Sequence, residues 1–367
     1  MGALAIATLK TLATILLGGA GGFAWYSLGL PLPWMLGSMI AVSLVAISGL
    51  SLGDHQVYVP MWLRTLVVPV IGVMLGTAFT PEIVAGMWQW WITVLALVGY
   101  ILIATAIVYP YYRYVVRFDP VTSYFSAIPG GLIDMAIIGE EAGGNGRTIS
   151  LVHFARILFS VMSIPFFMEW LYGPLASQSI SAVARGWDLS VIDITVLSAC
   201  VVVGYLVGRY SRMPGGQIGG PLIVSAIAHG TGFTTAALPD LLVILAQIIV
   251  GASLGARFVG VSFRSASSVL AASLGGTLLM FAVTLVTAYG VSGLIDEPLP
   301  ALILAYAPGG VMEISLIALS MSIAVPFVTA HHMARIILAI AIMPNVWRYL
   351  LQDRLKPSGG ASRAEQR

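Results

Sequence analysis

The chain has 367 residues, of which 59% are hydrophobic and only 9% charged, with a formal net charge of +2. A soluble domain carries roughly a quarter charged residues, so this composition excludes an ordinary soluble globule and points to an integral membrane protein. A single cysteine, Cys200, excludes an intramolecular disulfide and any cysteine-based metal or iron–sulfur site, and no basic patch supports nucleic-acid binding.

Apolar segments are predicted at 4–28, 33–50, 58–79, 86–111, 119–139 and 147–171. A second set follows at 190–210, 217–232, 239–257, 265–293, 299–319 and 323–350. The first segment has no basic residue before Lys10 and runs on as a full span, so it reads as a helix and not as a cleavable signal. "MGALAI" lacks the Ser or Thr at position six that myristoylation expects. Within these segments "GGAGG" (18–22) reads as a close helix contact, and Trp88, Trp90 and Trp91 read as an interfacial belt. The fifth segment is different. It contains "AIPGGLIDMAIIGEE" (127–141), a helix breaker followed closely by Asp134.

Six segments and six suggest duplication, and rare residues at fixed spacing carry the argument. Residues 129–171 lie on 308–350 at a constant offset of 179 without a gap. Pro129, Gly130 and Gly131 fall on Pro308, Gly309 and Gly310; Asp134 falls on Glu313, His153 on His332, Arg156 on Arg335 and Pro165 on Pro344. Gly72 and Gly76 match Gly251 and Gly255 at the same offset. We divide the chain into a first membrane repeat at 1–171, a linker at 172–189, a second repeat at 190–350 and a polar tail at 351–367.

Basic residues collect on the cytoplasmic side of short loops. Arg113 and Arg117 follow the fourth segment, where the other half has Asp296 and Glu297; Arg257 and Arg264 flank a loop where the first half has Glu82. Lys10 corresponds to the region of Asp188 and Asp193, and Glu169 corresponds to Arg348. Opposite charge at matching places favours inverted halves, with both termini cytoplasmic. Inversion requires an odd number of crossings per half, so one of the six segments fails to cross. Pro-Gly-Gly frees backbone groups that a bilayer core tolerates only inside protein or a water-filled cavity. The expected fold is therefore an all-α polytopic membrane protein built of two inverted repeats. It has about ten full spans plus two broken or re-entrant Pro-Gly-Gly segments.

Ionisable residues inside membrane segments cost about 2.5–3.5 kcal/mol each on insertion scales, yet this chain keeps several. His153 and Arg156 are spaced to share one helix face, as are His332 and Arg335. Asp134 and Glu313 fall in the first turn after a break, near the positive end of a half-helix dipole. The amides of Gly130, Gly131, Gly309 and Gly310 could face an anion there. A purely structural alternative pairs Asp134 with Arg156 and Glu313 with Arg335 as buried ion pairs. His331, beside His332, reads as a packing residue, because adjacent helical residues point about 100° apart. No metal or other cofactor is expected, since no zincin, nucleophile-elbow, nucleotide-loop or CxxC motif occurs.

The two blocks "PGGLIDM…HFARI" and "PGGVMEI…HHMARI", with "GQIGGPLIVSAI" (216–227), resemble the membrane AbrB duplication family over nearly the whole chain. Its members carry the labels "putative ammonia monooxygenase" and "AbrB regulator". The regulatory label implies an effect on gene expression, not DNA binding, and the family is distinct from the small soluble DNA-binding proteins of that name. The inverted layout is similar to that of cation/proton antiporters and anion transporters, an analogy at the level of fold.

Paired broken segments at corresponding positions of two halves point to a transport site near the midplane. The expected function is an inner-membrane secondary transporter of a small organic anion or zwitterion, with protons as the coupling ion. Its site is expected at Gly130, Gly131, Asp134, His153, Arg156, Gly309, Gly310, Glu313, His332 and Arg335. Asp134 and Glu313 would bind the proton or cation, and Arg156 and Arg335 would balance charge or hold the substrate. The expected surroundings are the bilayer of a bacterial inner membrane, with a homodimer left open. The alternatives are a membrane-bound monooxygenase and a membrane regulator that transports nothing.

Overall fold

The computed structural model describes residues 2–48, 56–173, 189–211, 213–259 and 263–351, all helix and connecting turns with no strand among them. The expected linker, apart from its ends, and the polar tail beyond 351 lie outside the described residues, as do the side chains around Arg264. This is an all-α membrane protein. Among the described residues seven helices are long and apolar enough to cross a bilayer, from Ile6–Ser27 to Val325–Tyr349.

In chain order the first half comprises α1 (Gly2–Ser27), α2 (Ser38–Ser48), α3 (Met61–Gly76), α4 (Pro81–Gly86), α5 (Trp91–Pro110), α6 (Pro120–Ala127), α7 (Leu132–Glu141) and α8 (Gly146–Tyr172). A π-helical turn over Pro33–Gly37 leads into α2. The second half comprises α9 (Val191–Tyr210), α10 (Gly216–Gly230), α11 (Asp240–Gly255), α12 (Phe263–Val291), α13 (Leu299–Tyr306), α14 (Val311–Ser320) and α15 (Val325–Val346). The offset of 179 seen in the sequence relates α3 to α11, α6 to α13 and α7 to α14 at both ends, and α8 to α15 at the start. Local chemistry sets several starts. Asp119 caps α6 by accepting from Thr122 N at 2.9 Å, and Asn145 caps α8 by accepting from Thr148 N at 3.0 Å. Ser190 and Asp193 form a capping box on α9.

The equivalent helices α5 and α12 run antiparallel. Tyr111 and Tyr112, at the end of α5, lie against Gly275 and Gly276 early in α12, whereas Tyr100 OH meets Thr284 Oγ1 at 3.3 Å, two turns further along α12. Two copies of one unit whose matching helices oppose each other in direction are inverted repeats. The opening helices of each half pack on the other half: α10 lies on α3 and α9, and α11 lies on α2, α3 and α1. These six helices form one layer. The other contains α5–α8 and α12–α15, with α12 against α8, α5 and α13, and α15 against α13, α14 and α5. Contacts of α3 with α14 and α15 join the layers.

Each Pro-Gly-Gly segment is a broken helix. α6 ends at Ala127, Ile128 and Gly131 are extended, and α7 begins at Leu132; α13, Ala307, Gly310 and α14 repeat this. Half-helices of 8 and 10 residues are about 12 and 15 Å long, too short to cross alone. Of the expected aromatic belt, Trp88 and Trp91 are exposed. Trp90 instead packs edge-on against Phe327, 5.4 Å away, and so belongs to the interior.

Candidate functional site

The break is a problem of orphaned carbonyls. In a continuous helix the Phe125 carbonyl would accept from residue 129, but Pro129 has no N–H to give. His153, two helices later on α8, supplies the donor: its Nε2 stands 2.9 Å from Phe125 O. The Arg156 guanidinium takes the next two, with Nη1 donating to Ile128 O at 2.9 Å and Nη2 to Gly130 O at 3.2 Å. Nη2 also lies 2.8 Å from His153 Nδ1. A ring nitrogen facing a guanidinium donor must accept, and one facing a carbonyl must donate. Only the Nε2–H tautomer satisfies both.

The second half repeats the arrangement atom for atom. Pro308 removes the helical donor of the Leu304 carbonyl, which accepts instead from Ala307 N at 3.2 Å and has His332 Nε2 2.8 Å away. Arg335 Nη1 donates to Ala307 O and Nη2 to Gly309 O at 2.6 Å, with His332 Nδ1 3.1 Å away. All four side chains are buried. The ion-pair alternative is thereby corrected: among the described residues no carboxylate stands within salt-bridge distance of either guanidinium, and both are spent on carbonyls. The negative ends of α6 and α13 take the place of the acid partners.

Each break meets the long helix of the other half. A side chain on Gly130 would touch Ala339 of α15 at 3.4 Å, and one on Gly309 would touch Ser160 of α8 at 3.8 Å. These contacts are mates under the offset of 179, as a pseudo-twofold axis between the breaks requires. None of the four glycines has a positive φ, and a side chain on any of them would meet side chains of its neighbours. Asp134 and Glu313 are the third residues of α7 and α14, and each folds its carboxylate back over the glycine preceding its helix, Gly131 or Gly310. Glu313 is buried and Asp134 half-buried.

Of the four glycine amides expected to be free, Gly130 N is not, because it donates to Ile128 O at 2.8 Å. Among the described residues no acceptor stands on the amides of Gly131, Gly309 or Gly310. Arg156 Nε, Arg335 Nε and the hydroxyls of Ser123, Ser126 and Ser160 are buried without a partner. The serines occur only in the first half, since their counterparts are Leu302, Ala305 and Ala339. Ser123 and Ser126, spaced for one face of α6 just before the break, were legible as a signal and were missed. Missed too was a buried chain across α5, α12, α13 and α15. Tyr100 OH meets Thr284 Oγ1, Thr284 donates to Tyr306 O at 3.1 Å, Tyr306 OH donates to Thr93 O at 2.7 Å, and Thr93 Oγ1 meets His331 Nε2 at 2.8 Å. His331 is a packing residue, bonded at both nitrogens and lying 4.0 Å from the Phe327 ring centre.

Known proteins were compared with the whole chain. A family model described as "Transition state regulatory protein AbrB" matches residues 34–351. A Bacillus subtilis (strain 168) protein named "Uncharacterized protein YhjN" is 27% identical over 359 residues, covering 93% of each chain. An Escherichia coli (strain K12) protein named "Putative regulator AbrB" is 22% identical over 324 residues, covering 88% of this chain and 90% of its own.

Proposed function

The chain belongs to the AbrB family, and from its two facing breaks we propose that it is a secondary transporter. It crosses a bacterial inner membrane many times, with about ten spans and both termini in the cytoplasm, and carries a small organic anion or zwitterion coupled to protons. One observation supports this reading above the others. The same His–Arg clamp holds both breaks open from equivalent positions of two antiparallel halves. Irregular backbone persists at membrane depth only where protein encloses it or a water-filled path reaches it.

The polar groups left over around the breaks are mostly donors: two guanidinium Nε atoms, three glycine amides and three serine hydroxyls. Such a set suits a carboxylate. Asp134 and Glu313 are the groups free to take up and release protons, because the imidazoles of His153 and His332 are committed at both nitrogens. The same commitment, shared by His229 and His331, speaks against the monooxygenase reading, whose metal would need imidazole nitrogens.

The test is uptake of labelled small carboxylates and amino acids into proteoliposomes under an imposed pH gradient. Wild-type protein accumulates at least one of them, and Asp134→Asn and Glu313→Gln each abolish the pH dependence while eluting as folded protein in detergent. Unchanged pH-dependent uptake in the double variant would remove these carboxylates from the mechanism.

A further inference from the structure

Away from the breaks, a cavity of about 660 Å³ opens among the start of α1, the segment leading into α3, and the end of α11. Its volume lies within the range of roughly 300–1,000 Å³ typical of small-molecule sites. Among its described wall residues three are cations, Lys10, Arg64 and Arg257, and none is an acid. Tyr58, Gln56 and Ser253 add polar groups to the same wall. We propose that this cavity is an anion-binding site that takes a phosphate or carboxylate group.

The three cations come from three helical regions, so no single helix's composition explains their convergence. Arg64 and Arg257 are near enough to feel each other's charge. Among the described residues no carboxylate stands within salt-bridge distance of any of the three, and Glu313, the acid whose charge reaches Arg257, is outside the cavity wall. Cations gathered with no acid among the described wall residues attract an anion, because low-dielectric walls focus their field. Arg257 is fixed in place: its guanidinium lies 5.3 Å from the ring centre of Phe154 on α8, next to the clamp residue His153. Tyr58 is tied to α1 by its amide, which donates to Thr14 Oγ1 at 2.9 Å. The positions related by the offset of 179 are Leu189, Val243 and Ala78, none of them a cation. The bound group comes either from an anionic phospholipid or from a soluble anion, and one experiment separates them.

Thermal unfolding of the purified chain is followed by tryptophan fluorescence in a neutral detergent. Sodium phosphate and sodium succinate are compared with sodium chloride at equal ionic strength, and phosphatidylglycerol with phosphatidylcholine in mixed micelles. The proposal expects at least one anionic arm to raise Tm by about 3 °C or more, and the Lys10→Gln/Arg64→Gln double variant to lose that rise. A rise with phosphatidylglycerol alone assigns the site to a lipid headgroup, and one with phosphate or succinate to a soluble anion. Asp134→Asn keeps the rise, which separates this cavity from the breaks and from the transport reading. Because the double variant could itself be poorly folded, Arg257→Gln is measured in parallel and loses the same rise. Equal Tm in all anions, or an undiminished rise in both variants, overturns the proposal.

Discussion

At the scale of single residues, the clamp is a solution to proline. Pro129 and Pro308 remove the N–H that would have closed the last helical turn, and an imidazole brought from another helix replaces it. The adjacent guanidinium then donates to two carbonyls of the break, Ile128 and Gly130 in the first half and Ala307 and Gly309 in the second. His332→Phe keeps the volume but strips Leu304 O of one of its two donors and Arg335 of an acceptor. We expect it to cost about 2–4 kcal/mol of stability, measured by unfolding in mixed micelles. Arg335→Lys is expected to be destabilising as well, because one ammonium cannot span both carbonyls and the imidazole in a plane. If Arg335→Lys unfolds with the wild type, the guanidinium geometry is not what holds the break.

Among elements, close approach of backbones decides where glycine is required. α9 and α10 touch through Gly208 and Gly216, where an added methyl on either would fall on the carbonyl of the other. Neither backbone can yield without separating the helices. Gly208→Ala is therefore expected to cost about 1–3 kcal/mol or more, seen as a lower Tm in detergent. Gly99→Ala is the matched control: it lies in the interior of α5 with no atom within 4 Å of an added methyl. There the better helix propensity of alanine predominates, and stability should hold or rise by up to about 1 kcal/mol. Equal losses at both positions would mean that the contact of Gly208 with Gly216 is not what makes glycine necessary there. In membranes such small-residue contacts let helices associate where burial of apolar surface gives little drive.

For the whole molecule, inversion is the organising fact. α5 and α12 point opposite ways, and equivalent loops must then emerge on opposite sides of any bilayer the chain crosses. Reporter fusions after residue 115 and after residue 296 are expected to light up on opposite sides, with 115 cytoplasmic as Arg113 and Arg117 require. Reports from one side alone would contradict the antiparallel packing of α5 and α12. The exchange of opening helices between halves, α10 onto α3 and α11 onto α2, adds a second consequence. Neither half has a complete outer layer of its own, so residues 190–350 expressed alone should fail to accumulate, and co-expression with 1–189 should restore them. Accumulation of the second half alone would show that it completes that layer without the first.

Duplication, helix class and the two breaks were legible in the sequence because each rests on local chemistry or on rare residues at fixed spacing. Beyond the first turn, proline deprives a carbonyl of its helical donor, and an offset of 179 survives in any drawing of the fold. What occupies Arg156 and Arg335 was not legible. Charge arithmetic suggested Asp134 and Glu313, since a sequence displays acids but not the carbonyls that a break exposes. Only the packing of α8 against α6, and of α15 against α13, brings those carbonyls within reach. The convergence of Lys10, Arg64 and Arg257 was hidden for the same reason. Residues far apart in the chain share a field only when three helices end at one place, and that is decided by tertiary structure.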